Sequence, residues 1–187
     1  QLAKWNCMGM CPKHVGINYS SKQLRDVDYI PYVCQLLEEF QVSASQVEIE
    51  ITEGILLENN LETLNFLNEL KRNKIRIALD DFGTGYSSLN YLTYIPVDVI
   101  KLDKSINDKF LSLEDSTVMD SLIRLVHSLK LEIVAEGIED WEKFNMLQKG
   151  GCDYVQGYLF SRPLPVQELE QLYNKNYLKE NENETNE

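Results

Sequence analysis

Positive charge is scarce in this sequence, and long apolar runs are missing. Its 187 residues hold 18 lysines and arginines against 30 aspartates and glutamates, so the net charge is −12 at pH 7. This balance argues against a nucleic-acid polymer or an anionic membrane as partner, because both would be repelled. No segment reaches the ~18 consecutive apolar residues of a membrane span, and no signal-peptide pattern opens the chain. We therefore expect no membrane contact by this segment.

Cysteine is also sparse, and its spacing excludes two kinds of site. Cys7, Cys11, Cys34 and Cys152 form neither a CxxC pair nor a zinc-binding spacing. We expect reduced thiols in a cytoplasmic protein. The length and the hydrophobic content of 43% suit one globular domain with a sizeable core, since domains commonly span ~100–200 residues.

What the sequence does contain is a regular alternation of short apolar strands and amphipathic helices. The predicted strands are residues 14–20, 47–52, 75–80, 97–102, 132–135 and 153–155. The predicted helices between and after them are residues 29–40, 53–72, 87–94, 115–129, 141–148 and 166–173. Strict alternation of this kind produces a parallel sheet, either closed into a barrel or open and doubly wound.

Each predicted strand ends in polar residues, and in both folds ligands bind where these carboxyl ends meet. Nearly all of them offer oxygen ligands, which suits a hard divalent cation. The adjacent Asp80 and Asp81 need such a cation most, because neighbouring carboxylates repel each other. Alternation puts Glu48 on the same face as Glu50, and we expect it to be hydrated or paired. The polar residues at the strand ends are Asn18, Glu50, Asp80, Asp81, Lys101 with Asp103, Glu136 and Gln156.

The number of strands favours an incomplete barrel. A (β/α) barrel has eight strands and about 250 residues, whereas this chain supplies six strand candidates. The chain begins with Gln1, and residues 2–10 are typical of the end of an amphipathic helix. We expect an α/β fold, a TIM-like barrel over residues 1–173 that lacks its first strand and helix. Residues 174–187, rich in Asn, Glu and Lys, are expected to form a disordered acidic tail.

Several short motifs resemble the EAL-domain cyclic di-GMP phosphodiesterases, in the family's order, over about residues 1–170. They are Ile-Asn-Tyr-Ser-Ser at 17–21, Glu-Ile-Thr-Glu at 50–53, Asp-Asp-Phe-Gly-Thr-Gly-Tyr-Ser-Ser-Leu at 80–89, Lys-Leu-Asp at 101–103, Ala-Glu-Gly-Ile-Glu at 135–139 and Gln-Gly-Tyr at 156–158. The Glu-Ala-Leu tripeptide that names the family is absent here, and the resemblance places it upstream of Asn18. Since its glutamate is a metal ligand in the family, we expect this fragment alone to be inactive.

The resemblance implies hydrolysis of cyclic di-GMP to the linear dinucleotide with two Mg²⁺ or Mn²⁺ ions. Lys101 would act beside the attacking water, with Asp103 orienting it. The implied catalytic residues are Lys101, Glu136 and Asp103, and the implied metal ligands are Asn18, Glu50, Asp80, Asp81 and Glu136. The implied substrate contacts are Gln156 and Glu139, and support for the loop after Asp81 is assigned to Glu53, Gly83 and Gly85. Glu53 alternatively caps the helix that follows it.

Two other functions stay open. One is a catalytically inactive EAL-like domain that acts as a cyclic di-GMP receptor or a protein-interaction module, and the other is an unrelated barrel enzyme that uses a divalent metal. The resemblance also implies a homodimer contact near the loop after Asp81, and allows regulatory domains upstream. Residues that could form this contact or simply pack on the barrel are Tyr91, Leu92, Tyr94 and Ile95.

Overall fold

The computed structural model describes residues 1–57, 61–84, 91–111 and 117–178. Within these ranges, six parallel strands form one sheet whose spatial order is the order of the chain. They confirm the predicted parallel arrangement, and the bounds of the second and fifth strands coincide with the predicted ones. The strands are β1 (Val15–Tyr19), β2 (Val47–Thr52), β3 (Arg76–Phe82), β4 (Val99–Leu102), β5 (Glu132–Ala135) and β6 (Tyr154–Val155).

Eight α-helices in the same ranges connect or flank the strands, and none of these helices is both long and apolar enough to span a membrane. They are α1 (Leu2–Cys7), α2 (Tyr29–Glu39), α3 (Glu53–Leu57), α4 (Leu61–Arg72), α5 (Lys104–Leu111), α6 (Thr117–Ser128), α7 (Trp141–Gly150) and α8 (Val166–Leu172). Local signals set the ends of α7. Asp140 accepts a hydrogen bond from the backbone N–H of Lys143 at 2.8 Å, and Gly151 ends the helix in the left-handed conformation.

The described helices depart from the prediction, or cover it only in part, in three places. Within the predicted helix 53–72 the structure describes α3 and α4, and residues 58–60 between them lie outside the described part of the chain. The short polar helix α5 has no counterpart in the prediction, because Asn107 occupies a buried position where an apolar residue would give the helical pattern. The predicted helix 87–94 lies partly outside the described residues, which resume with a 3₁₀ turn at Tyr91–Thr93.

The C-terminal segment is described as far as Leu178, and residues 179–187 of the predicted tail lie outside the described part. The ring of Tyr177 packs edge-on against Phe160, with 5.4 Å between the centroids. The side chain of Glu170 on α8 accepts a hydrogen bond from Trp5 Nε1 at 2.9 Å. The hydrogen bond between Trp5 and Glu170 joins the two ends of the described chain.

The sheet curls strongly enough for its edge strands to approach each other. Strands lie ~4.8 Å apart in a sheet, so β1 and β6 would be ~24 Å apart if the sheet were flat. Instead, the ring of His14, directly before β1, lies 5.7 Å from the ring of Tyr154 on β6. Lys13 Nζ lies 3.5 Å from Glu132 Oε1 on β5. The six strands therefore form a partial barrel with an inner and an outer face.

The outer face of this partial barrel is apolar and packs against the helices. Burying one large aliphatic side chain contributes about 1.5–3 kcal/mol, so this layer stabilises the strands despite the charges on the inner face. Its fully buried strand residues are Ile49, Ile51, Ile77, Leu79, Ile100, Leu102 and Ile133, and the helices add Leu67, Leu70, Ile123 and Val126.

The inner face carries an ion-pair network at the amino end of the strands. Arg76 Nε donates to Glu48 Oε2 at 3.1 Å, and the Nη2 of the same guanidinium pairs with Glu132. Glu48 is buried, with 3% of its surface exposed. Of the two states expected for Glu48, hydrated or paired, the structure shows the paired one.

An apolar layer separates this network from the carboxyl end of the barrel. It consists of Ala78, Val99 and Val134, with Tyr154 packed against it. The side chains of Ala78, Val99 and Val134 offer no hydrogen bond, so a buried charge in either layer finds its ionic partners within that layer.

We predict that Arg76→Leu lowers the free energy of unfolding by about 3–5 kcal/mol, because it leaves the carboxylate of Glu48 buried without a partner. Urea unfolding measures this change. The double variant Glu48→Leu/Arg76→Leu should recover most of the loss, since replacing both members of a buried pair is often neutral. Arg72→Leu, at an exposed position of α4, is the control and should change stability by less than about 0.5 kcal/mol. Equal stability of Arg76→Leu and the unaltered protein would contradict the prediction.

Candidate active site

Charged side chains from four neighbouring strands converge at the carboxyl end of the partial barrel. The ammonium group of Lys101 lies at the centre, with 6% of its side chain exposed. Its Nζ donates to Glu50 Oε2 at 2.8 Å, to Asp80 Oδ1 at 2.9 Å and to Glu136 Oε1 at 2.9 Å. An ammonium has three donors, and here each one has a carboxylate acceptor.

The carboxylates keep Lys101 charged. Burial by itself would lower the pKa of Lys101, but the hydrogen bonds to the three carboxylates outweigh burial, and the pKa is raised above its ordinary value. Because the pKa of Lys101 is raised on folding, its ion pairs with the three carboxylates contribute their full stability below about pH 10. They lose this contribution only as the pH rises through the raised pKa. Lys101 is therefore a permanent cation at neutral pH.

A glycine on the neighbouring strand β1 leaves room for the side chain of Glu50. A Cβ placed on Gly16 of β1 would lie 1.9 Å from Glu50 Oε1, so any side chain at this position would displace the carboxylate. Asn18, two residues further along β1, is in register with Glu50 and lies exposed on the edge strand. The sequence reasoning missed Gly16, although a glycine inside a strand pattern indicates a close approach.

Asp81 joins the site through an unusual backbone conformation. Simple alternation would direct Asp81 to the outer face, opposite Asp80. Its φ of 55° is left-handed, and the register between β3 and β4 shifts over the same residues, so the chain turns here. Thr84 supports the turn, because its backbone N–H and its hydroxyl both donate to the Asp81 carbonyl, at 3.3 and 2.9 Å. Carboxylate oxygens of Asp80, Asp81 and Glu136 all lie within 4.8 Å of one another.

The charged forms of Asp81 and Glu136 are electrostatically disfavoured in this site. Burial raises the pKa of Asp81, and repulsion from Asp80 and Asp103 adds to it, whereas Lys101 opposes it. Burial also raises the pKa of Glu136, against the hydrogen bond from Lys101. One ammonium does not fully compensate the carboxylate cluster formed by Glu50, Asp80, Asp81 and Glu136. An all-oxygen donor set with excess negative charge fits one or more hard divalent cations.

Asp103 follows β4, and its hydrogen bonds go to the start of α5. Its Oδ1 accepts from the backbone N–H of Ser105 at 2.9 Å and from the Ser105 hydroxyl. The hydroxyl hydrogen bond is the main reason why the pKa of Asp103 is lowered. Among the described residues, the groups that hold Lys101 are thus the three carboxylates, while Asp103 caps α5.

A groove of about 340 Å³ opens beside the carboxylate cluster. Gln156 and Glu139, the expected substrate contacts, both line it, and Glu139 pairs with Lys104, which also lines the groove. The backbone of Gln156 is held by β5, because its N–H donates to the Ala135 carbonyl at 2.9 Å. The full lining is Asp103, Lys104, Glu136, Gly137, Glu139, Gln156, Gly157 and Tyr158.

The residues expected to support the loop after Asp81 are only partly described. Glu53 is buried at the start of α3, and Gly83 has a φ of 98°. A Cβ on Gly83 would lie 2.6 Å from the Ile106 side chain, so only glycine fits between the loop and α5. Gly85 lies outside the described residues, as does the side chain of Tyr91.

The residues proposed for a partner surface divide into two groups. Leu92 and Ile95 are buried in the core, which is the packing alternative raised by the sequence. The side chain of Tyr94 is about half exposed. Of these described positions, Tyr94 remains available for a contact with another chain.

Comparison with known proteins points to one family. A family model described as the EAL domain matches residues 1–163. The chain is 38% identical over 158 residues to the cyclic di-GMP phosphodiesterase NbdA of Pseudomonas aeruginosa, which covers 84% of this chain and 20% of that protein. The chain spans about a fifth of the length of the first curated relatives that it matches.

Solved structures share the fold. The EAL enzyme Bd1971, with cAMP and cyclic di-GMP bound, gives a TM-score of 0.80 at 34% identity over 86% of this chain and 43% of that chain. BlrP1 of Klebsiella pneumoniae, in a manganese and cyclic di-GMP complex, gives 0.76 at 29% identity over 87% of this chain and 42% of that chain. EAL structures are TIM-like barrels, and the similarity confirms the predicted α/β barrel class.

We predict that Lys101→Met lowers the free energy of unfolding of the metal-free protein by about 3–5 kcal/mol at pH 7, because the buried carboxylates lose their cation. Lys101 holds the raised pKa of Glu136 down, so its removal raises that pKa further, and protonation stabilises the folded variant more than the unaltered protein. The deficit should therefore shrink as the pH falls from 7 towards the ordinary value of 4.5. Urea unfolding in the presence of a chelator measures both effects. The control is Lys22→Met at an exposed position, and a deficit no larger than that of the control would refute the prediction.

Proposed function

This chain belongs to the EAL domain family, and on that basis we propose that the full-length protein hydrolyses cyclic di-GMP to the linear dinucleotide in a metal-dependent reaction, with this chain, inactive alone, supplying most of the site. The observation that carries the proposal is the convergence of the carboxylate cluster on Lys101 at the carboxyl end of the partial barrel. This is the end at which barrel enzymes place their catalytic groups. The relatives named as cyclic di-GMP phosphodiesterases support the choice of substrate.

The proposed cofactor is a pair of Mg²⁺ or Mn²⁺ ions. Asp80, Asp81 and Glu136 would hold one ion, and Glu50 with Asn18 would complete the site for the second. Oxygen-only donors favour these metals over zinc, and the manganese complex of BlrP1 agrees with this choice. When bound, the ions would supply the positive charge that lets a phosphodiester approach the carboxylates.

The residues of the chain itself have distinct proposed tasks. Lys101 holds a fixed positive charge where negative charge develops on the reacting phosphate, and it is already desolvated, so it reorganises little during the reaction. Gln156 and Glu139 contact the substrate from the groove beside the cluster. Asp103 supports Lys101 indirectly, since it fixes the start of α5 directly after the strand that carries the lysine.

The competing function is a receptor that binds cyclic di-GMP without hydrolysing it. The carboxylate cluster favours catalysis, because binding alone does not require a buried lysine held by three carboxylates. Chromatography of cyclic di-GMP incubated with the full-length protein and Mn²⁺ separates the two functions. Appearance of the linear dinucleotide supports hydrolysis, whereas saturable binding without product would establish the receptor.

The proposal extends to the setting of the domain. We place it in the cytoplasm, as part of a longer protein with regulatory domains, and as a homodimer. The exposed Tyr94 near the loop after Asp81 supports a dimer contact at this position. Relatives several times longer than this chain support additional domains.

Asp80→Asn should weaken Mn²⁺ binding at least ~10-fold, because it removes an anionic ligand from the centre of the cluster. At a metal concentration about a hundred times the dissociation constant, the unaltered full-length protein should gain about 2.7 kcal/mol of stability, which appears as a rise in melting temperature. The variant should lose most of this rise. Asp28→Asn, at an exposed position before α2, is the matched control. Unchanged Mn²⁺ affinity in Asp80→Asn would contradict the assignment of Asp80 as a metal ligand.

Lys101→Met should lower kcat by ~10²–10³-fold with little change in KM, because the charge acts on the transition state more than on the bound substrate. The assay uses saturating Mn²⁺, so that bound ions compensate the carboxylates and the variant stays folded. Lys22→Met should keep the activity of the unaltered protein. If KM rises while kcat is unchanged, Lys101 is a substrate-binding residue instead.

A further inference from the structure

The short helix α5 carries a fully buried side-chain amide next to the site. Asn107 Nδ2 donates to the Leu102 carbonyl at 3.0 Å and to the Glu136 carbonyl at 2.8 Å. Leu102 is the last residue of β4 and follows Lys101, and Glu136 is the first residue after β5. One side chain thus joins the ends of the two strands that carry the lysine and a carboxylate of the cluster.

Glu136 lies where the regular strand pairing has stopped. The β4–β5 register ends with the pair Leu102–Ala135. One residue later, the Glu136 N–H still donates to the Leu102 carbonyl at 3.1 Å, while the Glu136 carbonyl accepts from Asn107. The amide therefore takes the place of a strand partner at the residue whose carboxylate lies 2.9 Å from Lys101 Nζ.

Helix α5 also touches the backbone that follows Glu136. Gly137 has a φ of 68°, and a Cβ placed there would lie 2.6 Å from Lys104 Cβ in the first turn of α5. The chain after Glu136 is thus pressed directly onto the helix. Movement of Glu136 relative to β4 would require α5 to move as well.

Packing alone does not account for an asparagine at this position. In the described part of the structure, Asn107 Oδ1 is buried and has no hydrogen-bond partner. A buried acceptor without a partner is unfavourable, and an apolar side chain of the same size would avoid it. The two hydrogen bonds that Nδ2 donates compensate for the unpaired Oδ1, and an apolar side chain could not make them.

We propose that Asn107 is a positioning residue, whose amide fixes the backbone of Glu136 against β4 and so sets the place of the Glu136 carboxylate beside Asp80 and Asp81. The inference rests on the proposed metal-dependent function. Groups that orient metal ligands without touching the metal typically contribute ~10–100-fold to metal affinity or activity. Asn107 acts through Glu136 and touches neither metal nor substrate itself.

The test is calorimetric titration of the full-length protein with Mn²⁺ alone. Asn107→Leu keeps the size of the side chain and removes both donors, so we expect Mn²⁺ affinity to fall ~10–100-fold. We also expect kcat to fall more than KM rises. Asn107→Ser is the second variant, because its short side chain removes both contacts without a clash if the leucine variant does not fold. The control is Ile123→Val or Ile123→Ala, fully buried on α6, whichever matches the loss of thermal stability.

The controls should bind Mn²⁺ within about twofold of the unaltered protein, since Ile123 supports the fold and not Glu136. A folded Asn107 variant with unchanged Mn²⁺ affinity would overturn the positioning role, as would an equal loss in the matched control. If the unaltered protein neither binds Mn²⁺ nor hydrolyses cyclic di-GMP, the proposed function fails and this inference fails with it. If the unaltered protein is active and the Asn107 variants bind Mn²⁺ as it does, the positioning role of Asn107 is wrong while the proposed function stands.

Discussion

Repulsion between carboxylates at the carboxyl end of the partial barrel is the constraint on which the rest of the site depends. Glu50, Asp80 and Glu136 come within hydrogen-bonding distance of a single ammonium, and Lys101 makes that arrangement possible. Four carboxylates face this one ammonium, so the compensation is incomplete; the pKa of Glu136 is raised by burial first and also by the charges of Asp80 and Glu50. A site left with this residual negative charge favours cations from solution, which is the property that metal-dependent phosphodiester chemistry requires.

The barrel tolerates the charged layer because the residues that stabilise the fold are different from those that form the site. The outer face holds the strands through aliphatic packing, and the apolar layer of Ala78, Val99 and Val134 isolates the site from the second ion-pair network. Arg76 serves that second network as Lys101 serves the first, although it bonds to two carboxylates instead of three. The charges of the carboxylate cluster are therefore balanced separately from those of the network around Arg76.

The sequence predicted the fold where local pattern and tertiary environment agree. Apolar residues alternating with polar ones predicted β2 with correct bounds, and the short apolar run Ile133–Ala135 after Glu132 predicted β5. Helix α5 was missed because the buried Asn107 interrupts its apolar pattern. The strand ends indicated which residues meet, but not their contacts. That Lys101 binds three carboxylates depends on the curl of the sheet, and that Asp81 turns inward depends on one backbone angle.

The agreement between strand order and chain order bears on how the site assembles during synthesis. In the described sheet, each strand from β2 to β6 leaves the ribosome after an earlier strand with which it pairs, so pairing proceeds through contacts close in sequence. On this route the carboxylates of Glu50 and Asp80 are placed on adjacent strands before the strand that carries Lys101 has emerged. The nascent domain passes through a stage in which the future site is anionic and lacks its internal cation. During that interval its counterions must come from the surrounding solvent.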